Sequence, residues 1–189
     1  MAHVIHSINA TLSGRCHHLE SLVDDAHHQY AIDLVTAADA LILGAHTFAL
    51  FDAFWPAAVN RQDLPANTVA LARAFARTPK YVVSAKPVET AWENTVHLPG
   101  PDLTLLANTL RTIAGSAVLF GSPGLASAMM NAALINEVHL LSQPIIGTEG
   151  PQAYAGLHER VDLALVEARP FPSGVVLLTY SVIEKRSAQ

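Results

Sequence analysis

The fold of this chain is decided by one stretch, Val118-Leu119-Phe120-Gly121-Ser122-Pro123-Gly124-Leu125. An apolar strand breaks here into a glycine-rich turn, and a proline then stands early in a predicted helix, where its missing N–H costs nothing. Small residues between a strand and a helix N-terminus let the backbone approach an anion, as in the phosphate sites of α/β proteins. The same pattern can serve packing alone, so it predicts an anion site only together with the rest of the chain.

The composition indicates one compact domain that spans residues 1–189. The chain is 51% hydrophobic and only 14% charged, which excludes a disordered protein and allows a sizeable core. Its formal net charge is −5, and the 11 lysines and arginines form no basic run, so a nucleic-acid partner is not expected. A single cysteine, Cys16, excludes an internal disulfide and a thiolate metal cluster.

The chain carries no pattern that predicts a membrane or secretory destination. Its apolar runs are too short to span a bilayer, and the N-terminus lacks a basic region followed by an apolar run. We therefore expect a cytoplasmic protein with a small molecule as its partner and no membrane contact.

Strands and helices alternate along most of the chain and predict an α/β fold. The first strands read as continuous apolar runs, which is typical of a parallel sheet covered on both faces. After about Ala133 strands dominate, and the turn Pro170–Gly174 predicts an antiparallel hairpin at the C-terminus. The predicted strands are Val4–Ala10, Asp39–Gly44, Lys80–Ser84, Thr95–Leu98, Ala117–Phe120, Glu137–Ser142, Asp162–Ala168 and Val175–Ile183; the helices are Asp24–Ala38, Thr47–Ala53, Ala66–Ala76, Leu103–Ile113 and Pro123–Ala133.

Four segments follow the predicted strands at the edge where such sheets bind ligands. Ligands of open α/β sheets lie outside the carboxyl ends of the strands. Two of these segments open helices, and two helix N-termini that face one crevice could hold both phosphates of a dinucleotide. The segments are 9–14, 44–47, 84–86 and 121–124.

An ordered series of short motifs resembles one superfamily over nearly the whole chain. The motifs are Leu41-Ile42-Leu43-Gly44-Ala45-His46-Thr47-Phe48, Phe54-Trp55-Pro56, Pro79-Lys80-Tyr81-Val82-Val83-Ser84, Leu119-Phe120-Gly121-Ser122-Pro123-Gly124-Leu125, Leu134-Ile135-Asn136-Glu137-Val138-His139-Leu140 and Pro144-Ile145-Ile146-Gly147. Together they resemble the dihydrofolate-reductase-like proteins. The nearest branch is similar to the C-terminal reductase domain of the bifunctional riboflavin-biosynthesis deaminase–reductase.

The resemblance implies a dihydrofolate-reductase-like sheet and a reductase that takes hydride from NADPH to a flat heterocycle or a ribitylamino-type carbonyl or imine. It is also compatible with a homodimer. The positions that it assigns to the cofactor are Gly44, His46, Thr47, Ser84, Gly121, Ser122, Gly124 and Leu125. It places Leu12-Ser13-Gly14 in a loop that closes over the nicotinamide, with Ala10 and Thr11 nearby, on the substrate side.

The proton donor that such a reduction needs has two candidates on the first helix, Asp24 and Asp25. Dihydrofolate reductases supply their active-site carboxylate from the corresponding element. The alternative is that both residues stabilise the helix N-terminus through their negative charge.

Three departures from the family pattern raise other possibilities. Ala45 stands where the family usually has an arginine that binds the cofactor phosphates, Ser13 replaces an aspartate, and Gly121-Ser122 replaces a pair of glycines. Loss of the arginine removes a charge-assisted contact worth about 1.5–3 kcal/mol. The alternatives are therefore NADH or another hydride carrier such as a deazaflavin, or an inactive ligand-binding protein on the same fold.

The remaining reactive residues point to no separate chemistry. The histidine pairs His17-His18 and His27-His28 are adjacent, whereas ligands on one helix face are spaced by three or four residues, so no metal is expected. Trp55 could line a substrate pocket or pack in the core.

Overall fold

A computed structural model describes residues 1–100 and 102–183 of the chain. The predicted domain runs from 1 to 189, so its residues 101 and 184–189 lie outside the described part. In that part, no helix is long and apolar enough to cross a membrane.

The elements alternate as the sequence predicts. The strands are β1 (His3–Thr11), β2 (Ala40–Gly44), β3 (Lys80–Ser84), β4 (Thr95–Pro99), β5 (Ser116–Phe120), β6 (Glu137–Gln143), β7 (Leu163–Pro170) and β8 (Val176–Val182). The helices are α1 (Asp25–Ala37), α2 (Ala45–Asp52), α3 (Trp55–Ala58), α4 (Ala66–Arg77), α5 (Thr104–Thr112) and α6 (Pro123–Asn131).

All eight strands form one sheet in the order β4-β3-β2-β5-β1-β6-β8-β7. The first six strands are parallel, and β8 runs antiparallel to β6 and to β7. The predicted C-terminal hairpin is thereby confirmed, and the sheet is the mostly parallel one expected of a dihydrofolate-reductase-like fold.

Helices cover both faces of the sheet, because the parallel strands are apolar on both sides. On one face Ile42 and Leu119 pack with Leu110 of α5 and Met129 of α6. On the other, Leu41 and its neighbours pack against α1 and α4. Strand β7 is the exception, because all eight of its residues are exposed at the edge of the sheet.

The region after β2 differs from the sequence prediction in two details. Helix α2 begins at Ala45 instead of Thr47, directly after Gly44, which caps it without a side-chain hydrogen bond. The one-turn helix α3, which Trp55-Pro56 opens, is not among the predicted helices; proline is tolerated in its first turn.

Candidate functional site

A cavity of about 340 Å³ lies near the carboxyl ends of β1 and β5. Its floor includes Ser7 and Asn9 of β1, and one wall is Phe120 at the end of β5. Helices α1 and α2 and the segment 16–21 supply the other walls. The cavity therefore lies at the sheet edge that the sequence predicts.

Two turns interlock beside this cavity. The N–H of Gly44 donates to Ser122 Oγ at 2.9 Å, and the N–H of Ser122 donates to Thr47 Oγ1 at 3.1 Å. A Cβ on Gly44 would stand 3.3 Å from both the Cβ and the Oγ of Ser122, so the close approach favours glycine. Gly121 and Ser122 both adopt left-handed backbone, with φ of 50° and 51°. The structure thus brings the two predicted phosphate turns into direct contact.

These turns place the N-termini of α2 and α6 side by side. The first N–H groups of a helix have no intrahelical partner and carry partial positive charge, which suits an anion. At Gly124, in the first turn of α6, a Cβ would meet nothing within 4 Å, so this end of the helix is open. Of the eight predicted cofactor residues, His46, Thr47, Gly121 and Ser122 line the cavity itself.

Ser84 lies at the same sheet edge but away from the cavity wall. It ends β3, beside the register pair Gly44–Val83, and its Oγ donates to the carbonyl of Lys86 at 2.5 Å. Its predicted role near the cofactor ribose stays a prediction.

The predicted substrate residues Ala10, Thr11 and Ser13 do not line the cavity. Ser13 Oγ accepts from Thr11 Oγ1 at 3.0 Å and donates to the carbonyl of Gly147 at 2.5 Å, which closes a compact turn. The loop continues into His17 and His18, and these residues do line the cavity. The segment that follows the predicted loop 12–14, and not that loop itself, therefore contributes to the cavity wall.

Trp55 packs within an aromatic cluster. Its ring centroid lies 4.9 Å from that of Phe75 and 5.0 Å from that of Phe54. Phe51 and Phe120, from the same cluster, are the members that line the cavity. These ring contacts are the ones expected if Trp55 packs in the core. Its predicted role in a substrate pocket stays a prediction.

Asp24 and Asp25 also lie outside the cavity lining. Asp24 is the N-cap of α1 and accepts hydrogen bonds from the N–H groups of His27 and Ser173, each at 2.8 Å. Desolvation opposes ionisation, but these hydrogen bonds outweigh it and hold the pKa of Asp24 below its ordinary value. Asp25 accepts from the amide of Asn67 on α4. Asp24 thus makes the contact of the capping alternative, and Asp25 lies in the first turn of α1, where its charge suits the helix N-terminus. The catalytic role of both stays a prediction.

Sequence reasoning missed two buried hydroxyls in the cavity wall. Ser7 Oγ and Tyr30 OH are 2.9 Å apart, and both residues line the cavity. Helical spacing places Tyr30 on the buried face of α1, but it says nothing about the partner of the hydroxyl. Strand alternation offered a usable signal, since Ser7 and Asn9 share one face of β1.

The cavity has an unusual electrostatic character. The described residues that line it include four histidines but no aspartate, glutamate, lysine or arginine. Burial lowers the pKa of His27, whose Nδ1 is buried without a hydrogen-bond partner, so this imidazole is neutral near pH 7. Burial raises the pKa of the Cys16 thiol to about 11, so that thiol is inert.

A second buried histidine supports the Gly121 turn from beneath. His6 is fully buried, and burial lowers its pKa to about 4. Its Nε2–H donates to the carbonyl of Gly121 at 2.8 Å, which leaves Nδ1 to accept from Tyr154 OH at 2.7 Å. The neutral ring therefore fixes the carbonyl of the turn.

Within residues 1–100 and 102–183, no group of three or more histidine, cysteine, aspartate or glutamate side chains is arranged to hold a metal ion.

Comparison with known proteins identifies the family. The family model named RibD C-terminal domain matches residues 1–177. The chain belongs to the RibD C-terminal domain family. Among curated relatives, the uncharacterized protein YyaP of Bacillus subtilis (strain 168) is 25% identical over 149 residues, which cover 78% of this chain and 76% of YyaP.

Solved structures show the same fold for this RibD C-terminal domain protein. A pyrimidine reductase-like protein from Corynebacterium diphtheriae has a TM-score of 0.68 at 15% identity, and the match covers 97% of this chain and 92% of that protein. The reductase–deaminase of Thermotoga maritima has a TM-score of 0.64 at 13% identity, and the match covers 96% of this chain and 56% of that protein. Dihydrofolate reductase from Enterococcus faecalis, complexed with NADP(H), has a TM-score of 0.64 at 14% identity, and the match covers 96% of this chain and 97% of that protein. The family indicates a reductase-type function, and these neighbours show the fold.

Proposed function

We propose that this protein is an NADPH-dependent oxidoreductase that transfers hydride to a small heterocyclic or ribitylamino-type substrate of the flavin- and pterin-precursor kind. One observation carries the proposal: two adjoining helix N-termini flank a cavity at the carboxyl edge of a reductase-type sheet.

The N-termini of α2 and α6 offer hydrogen-bond donors that fit the phosphates of a nicotinamide dinucleotide. The open first turn of α6 at Gly124 leaves room for an anion, and the first turn of α2 presents His46 and Thr47 beside it. When bound, the cofactor would supply the hydride. Ala45 contributes no charge to phosphate binding, so NADH and a deazaflavin are alternative hydride carriers. Measuring activity with each of the three carriers in turn distinguishes them.

The cavity suits a small, uncharged and hydrogen-bonding ring. Its volume of about 340 Å³ lies within the usual range of small-molecule sites, roughly 300–1,000 Å³. Ser7, Asn9, His27 and Tyr30 offer hydrogen-bonding atoms, while Phe51 and Leu50 offer apolar faces. Without a carboxylate in its lining, the cavity favours a heterocycle that binds through N–H and C=O groups over one that needs a carboxylate partner.

Gly124 provides the sharpest test of the cofactor site. Titration with NADPH and NADH, followed by tryptophan quenching, should show micromolar binding of NADPH by the wild type. Gly124→Asp places a negative charge at the helix N-terminus, where it stabilises the helix but repels phosphate, so we expect roughly tenfold weaker binding. Gly124→Asn is the matched neutral control. Absence of NADPH and NADH binding up to millimolar concentration contradicts the proposal.

A diverged ligand-binding protein is the second candidate. Ala45 and the position of Asp24 and Asp25 outside the cavity favour it. NADPH oxidation in the presence of 5-amino-6-(5-phosphoribosylamino)uracil or a dihydropterin distinguishes the two. Turnover of either compound supports the reductase, and tight binding of either compound without turnover supports the alternative.

We also propose a cytoplasmic homodimer. The exposed edge strand β7 supports the dimer, because Leu163, Leu165 and Val166 are 40–65% exposed there and an unpaired edge is a template for another strand. Light scattering of the purified protein decides it, since a monomer mass at high micromolar concentration contradicts the dimer.

A further inference from the structure

A continuous chain of hydrogen-bonded side chains runs from the cavity to the protein surface. Ser7 Oγ lies 2.9 Å from Tyr30 OH, and Tyr30 OH lies 2.9 Å from His139 Nδ1. His139 Nε2 lies 2.5 Å from one oxygen of Glu137, and the other oxygen of Glu137 lies 3.2 Å from His3 Nε2. No link in this chain requires a water molecule.

The sheet register aligns this chain. Ser7 and His139 are direct partners in the β1–β6 ladder, and Ile5 lies opposite Glu137. Side chains two apart on a strand point to the same face, so His139 and Glu137 share the face that Ser7 occupies. Tyr30 reaches down from α1 to join the two strands. The inner links are buried, whereas the side chains of Glu137 and His3 are 25% and 52% exposed.

We propose that this chain is a proton relay that delivers protons from the surface to a ligand in the cavity, with Ser7 as the donor that touches the ligand. The inference rests on the proposed reductase function for its role in turnover, but the relay is a property of the ligand-free protein. It also supplies the proton source that Asp24 and Asp25, outside the cavity lining, do not supply by contact.

The protonation state of His139 sets the direction of every hydrogen bond in the relay. With a neutral ring, Nε2–H donates to Glu137, Nδ1 accepts from Tyr30, and Tyr30 accepts from Ser7, so the hydroxyl protons point away from the cavity. A proton on Nδ1 reverses both hydroxyl bonds. Ser7 O–H then points into the cavity.

The balanced step follows from this reversal. Hydride from the reduced nicotinamide adds to the carbon of a C=N or C=O bond, and the π pair moves to the nitrogen or oxygen, which takes the proton of Ser7. Ser7 regains a proton from Tyr30, and Tyr30 regains one from His139 Nδ1. His139 is left with its remaining proton on Nε2, beside Glu137. A rotation of the ring away from Tyr30 then lets Nδ1 take up the next proton, which enters from solvent at Glu137 and His3.

Neighbouring groups suit a relay in which Tyr30 stays protonated. Burial raises the pKa of the Tyr30 hydroxyl, the nearby charge of Glu137 raises it further, and Ser7 and Arg169 only partly oppose the shift. Tyr30 therefore passes protons without ionising at ordinary pH. On β8, the residue opposite His139 is the uncharged Thr179.

The first test needs no substrate. Imidazole ¹⁵N NMR of the ligand-free protein, recorded at pH 9, reports the tautomer of His139 and the hydrogen bond at its Nδ1. We expect the Nε2–H tautomer, and we expect the Nδ1 signal to move in Tyr30→Phe, because that variant lacks the hydroxyl that donates to Nδ1. Tyr180→Phe, on the neighbouring strand β8, is the control and should leave the Nδ1 signal unchanged. An Nδ1–H tautomer, or an Nδ1 signal that Tyr30→Phe leaves unchanged, overturns the relay.

The second test follows turnover of 5-amino-6-(5-phosphoribosylamino)uracil with NADPH. Tyr30→Phe should lower the rate about 10²-fold and remove the wild-type pH dependence, with NADPH binding unchanged. Ser7→Ala should show the same loss, and Ser7→Thr should recover because it keeps the hydroxyl. Wild-type rates in both Tyr30→Phe and Ser7→Ala overturn the relay. If the wild type itself shows no turnover, the proposed function fails, and the NMR test alone decides the relay.

Discussion

At the level of single residues, Ala45 stands where the resemblance in sequence implies an arginine that binds the cofactor phosphates. It is exposed and is the first residue of α2, next to the interlocked turns. An arginine at this position would have room to reach a phosphate held between the two helix N-termini.

Ala45→Arg is therefore expected to tighten NADPH binding. A charge-assisted contact of about 1.5–3 kcal/mol corresponds to roughly a ten- to hundredfold lower Kd. Ala45→Gln is the uncharged control of similar reach. Fluorescence titration measures both, and equal affinities for the two variants would show that no phosphate lies within reach of position 45.

At the level of elements, the interlock of Gly44 with Ser122 and the open first turn of α6 at Gly124 make opposite predictions for the same substitution. Gly44→Ala should lower the free energy of unfolding by about 1–2 kcal/mol, because Ser122 is held by hydrogen bonds and cannot easily give way. Gly124→Ala should be neutral or stabilise by up to about 1 kcal/mol. Urea unfolding of both variants checks this, and a Gly44→Ala variant as stable as Gly124→Ala would refute the interlock.

Sequence patterns predict the order and type of these elements well, because burial makes apolar residues recur at the spacing typical of a strand or of a helix. The apolar runs of β2 and β5 and the helical spacing of α1 belong to elements buried against the core. Boundaries that depend on backbone geometry alone are missed: α2 begins two residues early because Gly44 caps it without a side chain.

The candidate site is only partly predictable for a related reason. The turns at Gly44 and Gly121 are local features of strand–helix junctions, so their composition reveals them. The pairing of Tyr30 with Ser7 and His139 joins residues 23 and 109 positions apart, and no local pattern encodes it. Asp24 illustrates the converse, since the sequence shows an aspartate at the start of a helix but not its position relative to the cavity lining.

At the level of the whole molecule, His6 makes the stability depend on pH. Its pKa is about 4 in the folded protein and about 6.5 in an unfolded chain. Between these values the unfolded state binds more protons, so the free energy of unfolding is fully retained above pH 6.5 and falls as the pH drops toward 4.

The loss that His6 contributes amounts to about 3 kcal/mol over the full window, from the shift in its pKa. His6→Gln, which keeps a donor and an acceptor, should therefore be less sensitive to acid than the wild type, although less stable at pH 7. The exposed His158→Gln is the control. Urea unfolding at pH 7 and pH 5 measures the difference, and equal acid sensitivity of His6→Gln and the wild type would contradict this account.

The position of β1 inside the sheet also has a consequence for how the protein is made. This strand is synthesised well before its two partners, β5 and β6, which begin at Ser116 and Glu137. At about 5–20 residues per second, the apolar residues of β1 wait roughly 5–20 s for a partner strand. The nascent chain therefore exposes the apolar residues of β1 until β5 and β6 have been made, and any truncation before β6 leaves β1 without one of its two partner strands.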